Sequence, residues 1–298
     1  MKFLFIEKYS NQHCIQKMAG VLSITRSGYY SWKKRGLSNR KYEDLYLIDE
    51  IKRFQEDSKH SLGSKKITKL IKQKDEMPLG HNRIARLMKE NDLNAKKTKR
   101  AWKPKEEKDL KARAKNLLNR DFNVGQINRV WTTDITYVRT LNNWTYLCAV
   151  MDIGNREIIG WEYSKYMDAG IATRALENAH LKRNYPEGVM IHSDRGTQFC
   201  SKEYKKLLKK RKMIQSLSRR GNCWDNACIE SFFSSLKKEW LYPDVLKGIT
   251  ETRNNIFEYI EIYYNRKRPH WTLGCLSPIQ YLEPVPFRAI FENKILSK

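Results

Sequence analysis

Apolar residues in the first hundred positions recur at helical spacing. Between Glu43 and Asp57 they fall three residues apart, and residues 64–74 repeat this pattern. Residues 78–80 (Pro-Leu-Gly) interrupt the chain, and a second amphipathic segment follows over 81–93 with basic side chains on its outer face. A helix, a short turn and a basic helix form the helix-turn-helix plan of many DNA-binding proteins. We therefore predict a helix-turn-helix at about 64–93.

A shorter helical pair is predicted at the start of the chain. The apolar pattern of residues 15–22 and 26–35 is typical of two short helices joined by a Ser-Ile-Thr turn. Together with the helix-turn-helix, this pair predicts a small all-helical region over residues 1–100. Residues 101–129 are rich in charge and poor in strand pattern, which indicates a basic linker.

The hydrophobic period changes from helical to alternating at residue 130. Three consecutive segments rich in β-branched and aromatic residues predict antiparallel strands over 130–140, 143–153 and 156–164. The pattern then predicts a helix over 169–183, a strand over 188–193, a helix over 202–212, a strand over 214–217 and a helix over 227–241. This order is that of an α/β, ribonuclease-H-like core with a mixed sheet over 130–241. It leaves residues 242–298 as a C-terminal helical extension.

The net charge of the chain indicates which class of partner it binds. The 58 Lys and Arg residues exceed the 33 Asp and Glu residues, and the net charge of +25 favours a polyanion such as DNA, contacted mainly by the more basic residues 1–130. No stretch reaches the roughly 18 apolar residues that span a bilayer, and the six cysteines form no Cys-x-x-Cys pair that would indicate zinc. We expect a cytoplasmic protein with no membrane partner.

Three acidic residues are candidates for chemistry. Asp134 interrupts a strand of otherwise buried character, where a carboxylate is costly unless a partner compensates it. Asp194 follows a short apolar strand, where α/β folds bind ligands, although a turn-capping role before a glycine would also explain it. Glu230 lies on the next predicted helix, with 35 residues between it and Asp194. Three carboxylates from two strands and a helix could hold two Mg²⁺ ions, whereas the simplest alternative is three unrelated acids.

Five stretches of the chain share one family pattern. They are Trp131-Thr-Thr-Asp-Ile-Thr-Tyr137, His192-Ser-Asp-Arg-Gly-Thr-Gln-Phe199, residues 218–233 around Gly-Asn-Cys-Trp-Asp-Asn-Ala, residues 264–278 (Tyr-Asn through Ser-Pro), and Ser27-Gly-Tyr-Tyr-Ser-Trp32. In this order they resemble the catalytic protein of bacterial insertion-sequence transposases of the DDE class, which is related to retroviral integrases. The motifs are specific as a set, although any one of them alone would not be.

The resemblance implies a DNA transposase. Such an enzyme cleaves at the ends of an insertion sequence and transfers the freed strands to new DNA. By resemblance, Asp134, Asp194 and Glu230 carry over as the catalytic ligands of Mg²⁺, with Mn²⁺ as a substitute and two ions per site. The implied setting is the bacterial nucleoid.

Polar residues around this triad have two explanations each. Lys237 matches a family contact to the terminal DNA of the element and lies two helical turns after Glu230, although a surface lysine is the plainer alternative. Asn222 and Asn226 belong to the family motif and would either orient Glu230 or touch DNA. His192 could contact the scissile phosphate or be a core histidine.

Two further acids compete with the triad. Asp225 lies at the mouth of the helix that carries Glu230, where a role as N-cap explains it fully. Asp152 ends the second strand, beside the strand of Asp134. We expect neither residue to be a metal ligand.

The helix-turn-helix is expected to recognise double-stranded DNA, both element ends and target. Its candidate groove-facing residues are His81, Asn82, Arg83 and Arg86. Because no heptad pattern is sustained in the sequence, we expect a homo-oligomer on DNA that is helped by an upstream-frame companion or fusion. The alternatives are a sequence-specific DNA-binding regulator with an inactive core and a general nuclease on the same fold.

Overall fold

The computed structural model divides the chain into two compact units, Met1–Lys52 and Arg53–Lys298. It describes residues 2–35, 38–96, 116–119, 124–219, 226–243 and 245–282. Most of the linker predicted at 101–129 lies outside these ranges. No helix within them is both long and apolar enough to cross a membrane.

The first unit is built from short helices. They are α1 (Lys2–Tyr9), α2 (Ile15–Val21), α3 (Arg26–Lys34) and the first part of α4 (Asn39–Asp57). Ile6 and Tyr29 are fully buried in a core shared by α1, α2 and α3. The predicted helical pair is confirmed by α2 and α3. The sequence did not predict α1, because its apolar residues are consecutive and give no amphipathic stripe.

The helix-turn-helix lies in the second unit. It consists of α5 (Ser64–Asp75) and α6 (His81–Glu90), close to the predicted bounds. Ile67 and Ile84 are fully buried between the helices, as the apolar stripes predicted. The buried Gln55 amide, near the end of α4, donates hydrogen bonds to the Leu62 carbonyl before α5 and to the Leu93 carbonyl after α6, each at 2.8 Å.

Five strands form one mixed sheet in the order β3-β2-β1-β4-β5. The strands are β1 (Val130–Arg139), β2 (Trp144–Asp152), β3 (Ile158–Ser164), β4 (Met190–Ser193) and β5 (Ile214–Leu217). The first three pair antiparallel, while β4 is parallel to both β1 and β5. This arrangement confirms the ribonuclease-H-like α/β core predicted from the sequence.

Helices cover both faces of the sheet. One face carries α7 (Ala169–Lys182), α8 (Thr197–Cys200) and α9 (Lys202–Lys210), and the other carries α10 (Ala227–Leu236). A Cβ atom at Gly160 of β3 would lie only 2.4 Å from the Ala175 carbonyl oxygen of α7. The close crossing of α7 over β3 therefore requires glycine at this position.

The C-terminal segment completes the face that α10 covers. It contains α11 (Ile249–Phe257), a π-helical stretch over Glu258–Tyr264 and α12 (Pro278–Leu282). Tyr259 and Ile260 are fully buried against α10. Residues 242–298 were predicted as a C-terminal helical extension, and the described part of that range contributes Tyr259 and Ile260 to the core.

The same C-terminal segment contacts the helix-turn-helix and the loop that precedes it. The hydroxyl groups of Ser61 and Tyr263 are 3.2 Å apart, and the Gln73 amide donates to the Gly274 carbonyl at 2.9 Å. These contacts explain why the helix-turn-helix groups with the catalytic core, although the sequence analysis grouped it with the first helices.

Candidate active site

Two of the candidate acids occupy matching positions on adjacent parallel strands. Thr132 of β1 pairs with His192 of β4, and Asp134 and Asp194 each follow two residues later. Because side chains in a strand alternate with a period of two, Asp134 shares the face of Thr132. Asp194 is the first residue after β4. The register therefore brings Asp134 and Asp194 to neighbouring positions of the chain where β4 ends.

The start of α10 is tied to β1 next to Asp134. The Asn226 side chain is buried, its carbonyl oxygen accepts a hydrogen bond from the Thr132 hydroxyl, and its amide donates to the Thr133 carbonyl at 3.2 Å. Glu230 lies in the first turn of α10, four residues further on. These two bonds therefore hold the helix where Glu230 can approach Asp134.

The pKa of Asp134 is affected by the other two acids. Burial raises the pKa of the Asp134 carboxyl well above its usual range, and the charges of Asp194 and Glu230 raise it further. The Ile135 N–H and the Lys237 ammonium act in the opposite direction without cancelling the shift. Like charges that raise one another's pKa favour binding of a cation, and Asp134, Asp194 and Glu230 are called the acidic cluster below.

The donor set fits a hard divalent cation. Carboxylate oxygens are the ligands that Mg²⁺ and Mn²⁺ prefer. Among the described residues, no three His, Cys, Asp or Glu groups already stand close enough together to hold one metal ion. Asp194 and Glu230 are exposed, and the Asp194 carboxylate accepts a hydrogen bond from the Gly196 N–H at 2.9 Å. Completing a ligand set for one ion would require these two exposed side chains to turn toward Asp134.

Lys237 lies beside the acids, at the point where α10 gives way to a π-helical stretch over Lys237–Leu241. Its ammonium group donates a hydrogen bond to the Thr136 hydroxyl at 2.7 Å. Thr136 is two residues after Asp134 on β1 and shares its face. A fixed positive charge next to the acidic cluster suits a phosphate group brought to it.

Known protein families match the chain in the same places. The integrase core domain family matches residues 126–223, a second family of that description matches 211–278, and an HTH-like domain family matches 41–101. The transposase InsF of insertion sequence IS3A from Escherichia coli is 35% identical over 299 residues, which cover 100% of both chains. The chain belongs to the IS3 family of insertion-sequence transposases. The 31 kDa protein of insertion element IS600 from Shigella sonnei is 35% identical over 89% of this transposase and 97% of its own length.

A solved structure also aligns with the transposase. It is the intasome of simian T-cell lymphotropic virus in complex with the PP2A regulatory subunit B56 gamma, and the alignment covers 74% of the transposase and 71% of that chain at 14% identity with a TM-score of 0.45. Family membership itself rests on the full-length relatives. Membership of this family confirms the resemblance that the motifs predicted. It also confirms the class of reaction, which is polynucleotidyl transfer on DNA.

The structure separates other candidates from the acidic cluster of the transposase. His192 is fully buried and its Nδ1 lies 2.9 Å from the Ser216 hydroxyl, which favours the core-histidine alternative. Asp152 is fully buried, accepts backbone N–H bonds at 2.8 and 3.0 Å, and lies 3.5 Å from the Arg183 guanidinium. It pairs with Trp131, three residues before Asp134. Asp152 thus serves a structural network at the end of β2.

Two residues of the family motif, Asn222 and Asp225, lie outside the described residues. Of the motif amides, Asn226 uses both side-chain polar atoms inside the protein, which favours orientation of Glu230 over contact with DNA. The sequence analysis did not identify Thr132 and Thr136 as site residues. Their spacing of two residues on either side of Asp134 was the available signal, because it places all three on one strand face.

The candidate DNA-reading residues lie along α6. His81 and Asn82 are exposed in its first turn, Arg83 is half-buried and Arg86 is exposed. The Arg86 guanidinium pairs with the Glu90 carboxylate at 2.7 Å. An exposed pair of this kind contributes little to stability, so DNA could compete for Arg86.

Proposed function

We propose that the transposase cleaves the ends of its insertion sequence and transfers the freed strands at the site formed by Asp134, Asp194 and Glu230. The observation that carries this proposal is the placement of Asp134 on β1, of Asp194 directly after the adjacent parallel strand β4, and of Glu230 on a helix tied to β1. Two Mg²⁺ ions bound there, or Mn²⁺ in their place, would activate the attacking oxygen and stabilise the leaving oxygen. The partial burial of Asp134 strengthens its attraction for such cations.

The reaction is proposed to run in two phosphoryl transfers. In the first, a water oxygen bonds to phosphorus at the element end, the bond to the 3′ oxygen breaks, and that oxygen leaves as a hydroxyl. In the second, the 3′ hydroxyl loses its proton and attacks a phosphodiester of the target, whose 3′ oxygen leaves. The Lys237 ammonium would hold the terminal phosphate of the element beside the acids. Since water and DNA are the nucleophiles, no protein side chain becomes linked to DNA.

A strand-transfer assay tests this function directly. The purified 298-residue protein is mixed with duplexes that carry the element ends, in Mg²⁺ or in EDTA. Joined product should form only with both metal and end sequence. End-specific binding with no joined product under any metal condition would instead support the regulator with an inactive core.

Asn226 is proposed as a positioning residue for Glu230. The substitution Asn226→Ala removes both bonds between α10 and β1, so strand transfer should fall roughly 10- to 100-fold, as losses of groups that orient metal ligands do. DNA affinity should be unchanged, and added Mg²⁺ should restore part of the rate. A loss of DNA affinity at normal turnover would assign Asn226 to DNA contact.

The basic face of α6 is proposed to read the element ends. Arg83→Ala and Arg86→Ala should each reduce the discrimination between end DNA and random DNA by about 5- to 150-fold, because a base contact contributes about 1–3 kcal/mol. Lys89→Ala, at the far end of the same helix, is the matched control and should weaken both DNAs equally. Competition binding with labelled end duplex measures both effects. If an arginine variant lost the same affinity for end DNA as for random DNA, that arginine would contact the DNA backbone and not the bases.

Joining two ends requires at least two active sites, so we propose a homo-oligomer on DNA, acting at the nucleoid in the bacterial cytoplasm. We further propose that the product of an upstream frame contributes to pairing, as companion or fusion. Paired-end strand transfer by the fused form should exceed that of the 298-residue chain at equal concentration. Equal end-specific activity from the unfused chain would mean that its own residues suffice for pairing.

A further inference from the structure

The helix α9 presents a row of lysines on its outer face. Its inner face consists of three buried apolar residues, Tyr204, Leu207 and Leu208. Its outer face consists of five exposed lysines, called the α9 lysine row below, which are Lys202, Lys205, Lys206, Lys209 and Lys210. At 100° per residue, Lys202, Lys206 and Lys209 fall within about 60° of one another, opposite the buried face.

The α9 lysine row is not neutralised by neighbouring acids. The two basic residues that follow α9 both have partners, because the Arg211 guanidinium lies 5.3 Å from the centre of the Tyr185 ring and the Lys212 ammonium lies 2.8 Å from the Glu187 carboxylate. The five lysines of the row form no such contact within the described ranges of the chain. The acid of α9, Glu203, lies in its first turn. This face of the protein is therefore strongly basic.

The spacing within the row is unfavourable for the free helix. Three pairs of lysines are four residues apart, namely Lys202 and Lys206, Lys205 and Lys209, and Lys206 and Lys210. Like charges at this spacing destabilise a helix. A polyanion bound along the row would remove this repulsion. The charge pattern therefore favours a polyanion, which for a transposase is DNA.

Lysine suits contact with the DNA backbone. Its ammonium is a single charge on a flexible stem, and it lacks the planar fork with which arginine recognises a guanine edge. The three outermost lysines span about 10 Å along the helix axis, which is long enough to contact several phosphates of one duplex. Phosphate contacts hold DNA without regard to its sequence.

The chain path places one end of the row toward the acidic cluster. After β4 the chain passes Asp194 and α8, forms α9, and then enters β5, which is parallel to β4. Because α9 connects the end of β4 to the start of β5, it runs back along the sheet. The N-terminal end of α9, with Lys202, therefore lies toward the edge of the sheet where β4 ends.

The row and the proposed contacts to the element end lie on opposite faces of the sheet. The helix-turn-helix contacts the C-terminal segment, and Lys237 follows α10, so both are on the face that α10 covers. The helix α9 packs with α7 on the other face. DNA held by α6 and Lys237 would thus leave the row to a second duplex, and the second duplex in strand transfer is the target.

We propose that the α9 lysine row binds the phosphate backbone of target DNA and guides it to the acidic cluster. The assignment to target DNA rests on the proposed function, because it uses the proposed contacts to the element end. Binding by the row itself requires no metal and no chemistry, so it is tested separately from strand transfer.

The first test measures binding in EDTA to the full chain saturated with unlabelled end duplex. A labelled duplex of random sequence is added at several salt concentrations. The triple variant Lys202→Gln, Lys206→Gln and Lys209→Gln should bind it at least about 10-fold more weakly. The slope of log affinity against log salt should become smaller by about 2–3, because each lost phosphate contact removes about 0.9. The same three lysines replaced with arginine keep their charge and should keep both values.

Two controls separate this surface from the end-binding surface and from a structural role. The glutamine triple variant should bind end duplex within about twofold of the unsubstituted chain, since end DNA is expected on the other face. Its Tm without DNA should stay the same or rise, because repulsion within α9 is reduced. Unchanged binding of random duplex, equal losses for end and random duplex, or a fall in Tm together with lost binding would each overturn the proposal.

Strand transfer then tests the link to the reaction. With end duplexes that are already cut, the glutamine triple variant should need at least about 10-fold more target DNA for half-maximal transfer, at an unchanged maximal rate. Cleavage of uncut ends should be normal. An unchanged requirement for target DNA would overturn the proposal. If the unsubstituted protein also transferred no strands, the proposed function would fail, and the measurements in EDTA would still decide whether the row binds a second duplex.

Discussion

Strand transfer is expected to fall by at least about 1,000-fold when any one of Asp134, Asp194 and Glu230 is replaced by its amide, a loss on the scale seen when a preorganised charge is removed from an active site. Each amide keeps the shape of the side chain but removes a negative charge from the cluster. Binding to end DNA should stay within about twofold, because we expect the basic surface elsewhere on the chain to make most of the phosphate contacts. Product formation and DNA affinity are measured on the same protein samples.

The matched control for the aspartates is Asp168→Asn. Asp168 caps α7 by accepting a hydrogen bond from the Ile171 N–H at 2.9 Å, and asparagine caps a helix about as well. This variant should retain full activity, and Asp225→Asn should retain most of it. Normal turnover by one of the amide variants would show that the substituted residue does not belong to the triad. If Asp225→Asn were inactive and bound metal more weakly, Asp225 would take the place of that residue in the triad.

The second large effect is expected on stability, at Arg268. Its guanidinium forms a two-pronged pair with the Glu239 carboxylate, also donates to the Ser235 hydroxyl, and is only 11% exposed. Arg268→Met leaves the Glu239 charge largely buried without a cation, and breaking such a pair costs about 3–5 kcal/mol. Urea unfolding followed by tryptophan fluorescence should detect the loss through the buried Trp240.

Its neighbour in sequence provides the control. Lys267 pairs with Asp57 at 3.1 Å, but both side chains are about half exposed, so Lys267→Met should cost less than about 1 kcal/mol. Adding Glu239→Gln to Arg268→Met should recover part of the stability, since the unpaired charge is then gone. If the double variant is no more stable than Arg268→Met alone, lost packing rather than charge explains the effect.

The sequence predicted those features whose signal is local. Alternating apolar residues located β1 and β2, and the placement of an acid among strand residues singled out Asp134. Asp194, at the end of β4, and Glu230, at the start of α10, were then recognisable because they belong to the family motifs. The α/β architecture followed from the order of the elements, because that order restricts how strands can pair.

The features that the sequence did not predict depend on partners far along the chain. The bonds of Asn226 join positions 94 and 93 residues apart, so its role in holding α10 could be stated only as one alternative of two. Asp152 could be assigned to a structural network only once Arg183 was seen beside it. The change to a π-helix at Lys237 follows no proline or glycine, the residues that usually signal an irregular helix.

The contacts between the helix-turn-helix and the C-terminal segment have a consequence for biosynthesis. Ser61 meets Tyr263 and Gln73 meets Gly274 across 202 and 201 residues. At the usual elongation rate of about 5–20 residues per second, a nascent α5 waits roughly 10–40 s for these partners to leave the ribosome. Ribosomes that stall or terminate early would release a helix-turn-helix without its C-terminal contacts. Completion of the contacts of the helix-turn-helix is thus tied to translation of the last part of the catalytic core.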